Sequence, residues 1–294
     1  MNIADEIYNY LCCPKCKSNL IYDKDFILCD SCNSSYEKKE NIYILINLEK
    51  LPKHLLNQIK YFENDRSLLQ DYVLLPWQKS YLDRFLYQFR ISEKSIIIDC
   101  GTGSGYMAIE LARLGAKVIA CDLTLKSLLR LKYIAENLQL SNKILFVCCS
   151  AEDLPIKHST ADYFINNAVL EHLPRERDAI DEIDRVSNEK AGLMVTVPLK
   201  YRFINPVLLP LNFVHDKKIG HLRRYDVDTI LRKFNKWQEV DTYYTGHFGK
   251  VLKTLINKII NVFDENTIEI NDNSLEKVKY GASNIIIFLK KKIR

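Results

Sequence analysis

The chain has 294 residues, 47% of them apolar and 27% charged, with a net charge of +5. That length accommodates about two domains, and the composition excludes a disordered or low-complexity scaffold. The charge is uneven: residues 1–50 carry −2, residues 51–198 carry −1 and residues 199–294 carry +8. The basic balance therefore sits entirely in the last third, which bears on the choice of partners. The apolar run at 251–263 is interrupted by Lys253, Asn257 and Lys258, whereas a bilayer span needs roughly 20 apolar residues. Residues 1–11 contain Asp5 and Glu6 and have no basic flank leading into an apolar stretch. That is unlike a secretory signal, so a cytosolic protein is expected.

Nine cysteines are present, and four read Cys13-Pro14-Lys15-Cys16 and Cys29-Asp30-Ser31-Cys32. Two Cys-x-x-Cys knuckles supply four thiolates for a tetrahedral zinc site, with Cys12 an alternative to Cys13. Between them, Leu20-Ile21-Tyr22 and Phe26-Ile27-Leu28 flank Asp23-Lys24-Asp25, the pattern of a hairpin in a zinc ribbon. About 50 residues bury too little surface to fold unaided, which makes the expected zinc structural. Tyr36 to Ile46 resembles the closing strand of the small zinc-ribbon activator subunit of translation-related methyltransferases. Cys12, Cys100, Cys121, Cys148 and Cys149 fall in or near strand-like runs and read as small core residues.

Residues 51–90 have helical spacing broken at Pro76, so two helices are expected there. Ser95-Ile96-Ile97-Ile98 is a buried-strand run leading into Asp99-Cys100-Gly101-Thr102-Gly103-Ser104-Gly105, followed by helical spacing to Leu114. Strand, glycine-rich turn and helix let a ligand approach backbone at a helix N-terminus. A second strand ends in Asp122, whose carboxylate suits both ribose hydroxyls. The loop lacks the phosphate-cradling Gly-x-x-x-x-Gly-Lys-Ser/Thr spacing. Asp99 at its mouth favours a ligand with an amino group and no phosphates.

Over roughly residues 90–245 these segments resemble the class I S-adenosylmethionine (SAM)-dependent methyltransferases of the ubiquinone/menaquinone-biosynthesis type. The resemblance rests on Asp99-x-Gly101-x-Gly103-x-Gly105, Asp122-Leu123, Ser150-Ala151-Glu152-Asp153-Leu154-Pro155 and the run from Asp162 to Leu173. It implies a Rossmann-like seven-stranded α/β sheet with helices on both faces. It also implies that the glycine loop and Asn167 contact the methionine part of SAM. Asp122 would hold the ribose, and Leu123, Ser150, Ala151 and Glu152 would border the adenine. The expected organisation is a zinc ribbon at 1–50, a helical linker or cap at 51–92 and the methyltransferase domain at 93–294. A proline-punctuated, poorly helical lid is expected at about 199–225.

His172 and His221 are the candidate catalytic bases. Some relatives bind a metal through Glu-x-x-Glu-His at the first of these places. Ala168 replaces the leading Glu here, so no catalytic metal is expected. Gly220-His221-Leu222-Arg223-Arg224-Tyr225 resembles a segment of methyltransferases of envelope and small-molecule biosynthesis. Arg223, Arg224 and Tyr225 would then either clamp an anionic acceptor or brace the lid. The amphipathic run at 251–263 reads as core packing first and as contact with an anionic membrane surface second. The expected acceptor is a small molecule, lipid, quinone or envelope glycan. The alternative is an rRNA or tRNA methyltransferase whose ribbon docks RNA or a partner, although the −2 ribbon lacks a nucleic-acid footprint. A third reading is a SAM-binding partner without turnover.

Overall fold

A computed structural model describes residues 6–23, 26–46, 51–64 and 72–292. Lys24 and Asp25 of the expected hairpin turn, and residues 65–71 of the expected helical stretch, lie outside the described residues. After the short helix α1 (Ile7–Tyr10), four strands form an antiparallel meander: β1 (Leu20–Tyr22), β2 (Phe26–Cys29), β3 (Ser35–Lys39) and β4 (Ile42–Ile44). Glu40 and Asn41 connect β3 to β4 at φ of 50° and 60°, the left-handed pair that a two-residue hairpin turn requires.

The larger part continues with β5 (Ile96–Cys100), β6 (Lys117–Asp122), β7 (Ile144–Cys148), β8 (Ala161–Asn167), β9 (Ser187–Pro198), β10 (Trp237–Thr245) and β11 (Asn284–Lys291). The central strands are almost continuously buried runs, as parallel strands covered on both faces must be. Their order is β7-β6-β5-β8-β9-β11-β10, with β11 antiparallel to both neighbours. These are the seven strands expected from the sequence.

The ribbon is not a separate bead. β4 pairs in parallel with β7, placing Ile42 opposite Phe146 and Ile44 opposite Cys148, so one eleven-stranded sheet runs through both parts. A second tie lies where the Cys12 amide donates to the Pro155 carbonyl at 3.0 Å and the Lys157 amide to Tyr10 at 2.8 Å.

Helices α2 (Lys53–Glu63), α3 (Pro76–Gln88), α4 (Tyr106–Arg113), α5 (Leu125–Asn137), α6 (Glu176–Val186), α7 (Leu209–Ile219), α8 (Val227–Lys233), α9 (Phe248–Ile260) and α10 (Glu265–Asn273) complete the described fold. Two cores follow, one on each sheet face. α3, α4 and α5 contribute Phe85, Ile109 and Leu128 to one, and α6 and α8 contribute Ile183 and Ile230 to the other. Cys12, Cys100, Cys121, Cys148 and Cys149 are all buried.

Two local expectations fail. The proline-punctuated lid is helical at α7, because Pro210 falls in the first turn, where a missing N–H costs nothing. The amphipathic run at α9 does not pack into the core, and none of its residues is buried.

Continuity of the sheet makes a ribbon residue report on the whole chain. Ile42→Ala truncates a fully buried side chain at the seam and should cost about 2–5 kcal/mol. Trp77 and Trp237 lie outside the ribbon, and urea titration followed by their fluorescence should show one earlier transition. An unchanged tryptophan midpoint would mean that the ribbon unfolds independently.

Candidate functional site

The order of the parallel strands reverses beside β5, between β6 and β8, and a ligand crevice opens at the carboxyl ends at such a point. A cavity of about 240 Å³ lies there. Its walls include Gly101, Gly103, Asp122, Leu123, Ser150, Ala151 and Asn167 among the residues expected to hold a cofactor.

The glycine loop is shaped by two different demands. A Cβ on Gly101 would lie 2.3 Å from Val169, and one on Gly105 would lie 2.3 Å from Leu131, so both permit close packing. Gly103 (φ +51°) has only the Gly101 carbonyl within reach of a Cβ, leaving exposed backbone along the cavity. The Gly103 amide donates to Asp122 Oδ2 at 2.9 Å and the Thr124 amide to Oδ1 at 2.8 Å. These bonds fix the Asp122 carboxylate at the cavity wall. A ribose-bearing nucleoside fits this arrangement: an oriented carboxylate, bare backbone and a mostly apolar far wall.

Three expected cofactor contacts do not reach the wall. Asp99 lies buried beneath the loop, where it accepts from Thr102 Oγ1 at 2.6 Å, and burial raises its pKa to about 6. Gly105 serves packing as described. Glu152 is buried and receives the Arg175 amide at 2.6 Å and Arg175 Nε at 3.1 Å, so it ties the loop to the start of α6. Asn167 is at the wall, and its Nδ2 donates to the Tyr106 hydroxyl at 3.1 Å.

The sequence points to helices at 51–92 but to none of their residues as part of the site. Leu55, Gln58, Ile59 and Phe62 of α2 close the cavity from above, and their helical spacing was the available signal. Three hydrogen bonds hold the roof in place. His54 Nε2 lies 3.0 Å from the His172 carbonyl, Gln58 donates to the Ile219 carbonyl at 2.9 Å, and Lys126 donates to Glu63 at 2.5 Å.

At one end of the cavity Glu171, His172 and His221 converge, with one ligand atom of each within 4.8 Å of the others. His172 lines the cavity, its ring centroid is 4.8 Å from that of His221, and its Nδ1 is buried without a hydrogen-bond partner among the described residues. Burial, with His221 beside it, holds the His172 pKa down to about 3, so the ring is uncharged at neutral pH. Burial raises Glu171 to about 8. Asp216 fixes His221 through Nδ1 at 2.8 Å and leaves Nε2 facing Glu171 at 3.7 Å. The raised Glu171 carboxyl keeps its proton at neutral pH, and Glu171, His172 and His221 together are a donor set that fits one cation.

The arginine segment braces rather than reaches. Arg223 donates to the carbonyls of Leu170 and Leu173, and Arg224 binds Asp216 at 2.5 and 2.8 Å. The Tyr225 hydroxyl donates to Glu176 in the core at 2.7 Å. Asp216 also accepts from Tyr201 and is held well below the usual carboxylate range by these donors. None of the three lines the cavity.

Cys13, Cys16, Cys29 and Cys32 meet at the tip of the ribbon, their sulfurs within 4.8 Å of one another. Sulfur separations of 3.7 Å (Cys13–Cys32) and 3.3 Å (Cys16–Cys29) are near the roughly 3.8 Å edge of a tetrahedral zinc–thiolate site. The four thiolates fit zinc, and the Tyr36 hydroxyl lies 3.3 Å from the Cys13 sulfur.

Residues 98–195, about a third of the chain, match the methyltransferase domain family. This part of the chain is a methyltransferase domain. A tRNA 5-carboxymethoxyuridine methyltransferase of Escherichia coli (strain K12) is 33% identical over 108 residues, which are 36% of this chain and 40% of that protein. The chain thus spans less than half of the curated relatives it matches. The crystal structure of geranyl diphosphate C-methyltransferase from Streptomyces coelicolor A3(2), with Mg2+, geranyl diphosphate and S-adenosyl-L-homocysteine, is similar at a TM-score of 0.59 and 12% identity. That likeness covers 82% of this chain and 99% of the other. The 4+2 cyclase SpnF is also similar (TM-score 0.53, 18% identity, 82% and 92% covered), so the methyltransferase fold alone does not dictate a reaction.

The raised Glu171 pKa has a signed consequence for the methyltransferase domain. Folded Glu171 keeps a proton that the unfolded chain releases above about 4.5, so its stabilising contribution falls as pH rises towards about 8. Glu171→Gln mimics the protonated form. Melting curves should show the wild type losing ground to the variant between pH 5 and 8, by at most about 1.4 kcal/mol per pH unit. Parallel curves would mean that Glu171 is ionised throughout. In the ribbon, metal analysis should find one zinc per chain in the wild type and much less in Cys16→Ser.

Proposed function

We propose that the protein is a SAM-dependent methyltransferase whose acceptor is a small apolar molecule, a quinone precursor, a lipid or an envelope intermediate. The observation that carries the acceptor class is the cavity lining. Among the described residues no lysine or arginine lines it, and Leu55, Ile59, Phe62, Val169 and Leu173 make the roof and far wall apolar. A polyanionic acceptor would find no countercharge there.

SAM, when bound, supplies a methyl group already activated by its sulfonium, and the protein's task is alignment. Asp122 accepts from the ribose hydroxyls, while Gly101 and Gly103 offer backbone for close approach. Ser150 and Ala151 border the adenine. The α2 roof excludes water from the methyl end, and alignment alone is worth about 7–11 kcal/mol. Uncharged His172 presents a buried nitrogen, without a partner among the described residues, to a hydroxyl or amine on the acceptor. His221, oriented by Asp216, stands behind it. In the ribbon, zinc is structural and holds the strands that extend the sheet.

A second reading has one observation in its favour, the 33% identity to a tRNA methyltransferase. It covers 108 residues, about the extent of a cofactor-binding half, and the apolar lining speaks against an RNA acceptor.

Incubation with methyl-labelled SAM, a total lipid extract and bulk tRNA separates the readings. Label should enter the organic phase, and label confined to tRNA would overturn the acceptor class. Asp122→Asn should weaken S-adenosylhomocysteine binding about 10- to 100-fold by calorimetry, the range for a lost charge-assisted hydrogen bond. Unchanged affinity would remove the cofactor assignment itself.

A further inference from the structure

Helix α9 is mounted inside out. Lys250, Thr254, Asn257, Lys258 and Asn261 recur at helical spacing, and this polar face lines a groove of about 310 Å³ against Trp77 of α3 and Glu269 of α10. The opposite stripe, Leu252, Leu255, Ile256, Ile259, Ile260 and Phe263, is apolar at the same spacing. Ile259 is 85% exposed and Ile260 61%, and Val262 beyond the helix is 61% exposed as well.

The orientation is imposed at the root of the helix. Asp272 accepts from Thr245 Oγ1 (2.7 Å) and the amides of Gly246 and His247 (3.0 Å each) and pairs with His247 Nδ1 at 2.8 Å. Lys250 is bound to Glu269 at 2.5 Å and to Asp272 at 3.2 Å. Turning the apolar stripe inward would break this partly buried ion pair and carry the lysine out of it.

An outward apolar stripe needs a cover, and the surrounding charge identifies it. The helix itself carries no Asp or Glu, and with Lys250 held by Glu269 and Asp272 its remaining cations are Lys253 and Lys258, while Asp264 and Glu265 follow it in the chain. Lys253 lies at the edge of the stripe, with Nζ 5.7 Å from the Phe263 ring, so its stem can lie along apolar surface with the ammonium free to reach a headgroup. Two copies paired through this stripe would set lysines against lysines. A bilayer with anionic headgroups satisfies both features at once, because the apolar side chains enter the acyl boundary and the lysines meet phosphates. The helix also follows the carboxyl end of β10, the edge of the sheet at which the cofactor cavity opens.

We infer that α9 is an interfacial helix that docks the protein on an anionic lipid surface with the cavity edge towards the membrane. This deepens the reading of a lipid-borne acceptor and rests on it only for its purpose, since docking requires neither SAM nor turnover.

Flotation of the full zinc-loaded chain with phosphatidylglycerol/phosphatidylcholine vesicles tests it. Binding should exceed that to pure phosphatidylcholine at least 10-fold. The double substitution Ile259→Asp and Ile260→Asp should abolish it without lowering the melting temperature, because both side chains are exposed. Lys253→Glu with Lys258→Glu should reduce it by about five-fold per lysine or more. Ile259→Trp should give a blue shift of indole emission with the mixed vesicles. Absence of flotation and of the shift would overturn the inference. So would a wild-type dimer in light scattering that Ile259→Asp dissociates, because a second copy would then cover the stripe. Flotation without methyl transfer would sink only the proposed activity, and transfer without flotation only the docking.

Discussion

The parallel pairing of β4 with β7 organises the rest of the molecule. A strand added in parallel to a sheet edge must run in the direction of its neighbour, so the chain leaves β4 at the carboxyl edge of the sheet. There the Leu45 amide donates to Cys148 at 2.9 Å, and α2 follows a few residues later across the cavity mouth. The ribbon therefore aims the roof. Zinc held by the four cysteines at its tip would fix β1 to β3, β3 sets the register of β4, and β4 sets the place from which α2 departs. His54, Gln58 and the carboxyl end of α2 then meet three separate parts of the larger unit. A metal bound there would in this way govern how well the cavity is closed, although no described residue of the ribbon lines the cavity.

What was legible in the sequence follows from range. The seven strands of the larger unit, the glycine turn and Asp122 declare themselves through local pattern: buried apolar runs, positive-φ glycines and an acid at a strand end. The four thiolates are equally local, two residues apart within each knuckle. The fusion of ribbon and sheet is not local. Ile42-Tyr43-Ile44 reads as the last strand of a small module, and nothing in it states that its free edge matches that of β7, a hundred residues on. The same limit explains Glu152 and Asp99. Each sits in a motif that borders the cavity, yet side-chain direction is decided by Arg175 and Thr102. The α9 assignment failed for another reason, since periodicity shows that a helix has two faces but not which one turns inward.

Charge sums over sequence segments mislead in a similar way. The +8 of residues 199–294 suggests a basic surface, but three of its cations face two acids from elsewhere, Glu176 and Asp184. Lys233 binds Glu176 at 2.9 Å, Lys236 binds Asp184 at 2.9 Å and Arg223 lies 3.8 Å from Glu176. Within the segment, Arg224 is bound to Asp216, and Lys200 and Arg202 to Asp226. Buried or partly buried pairs of this kind hold elements together and offer little field to a distant partner. Net basicity therefore does not by itself argue for a nucleic acid here.

Charge left over after pairing counts for more than the total. On α9, Lys258 is exposed and Lys253 borders the apolar stripe, with no acid on the same helix. In the cavity the opposite holds, since Asp122 contributes a carboxylate and no basic side chain answers it among the described lining residues. A cationic cofactor is welcome beside such a carboxylate, whereas a phosphate-rich acceptor is repelled. On the proposed reading the two surfaces serve different parts of one reaction: a cavity for a sulfonium and an apolar acceptor, and a helix for anionic headgroups. A lipid-borne acceptor reconciles them, because its apolar body and charged surroundings are met by separate parts of the same edge of the sheet.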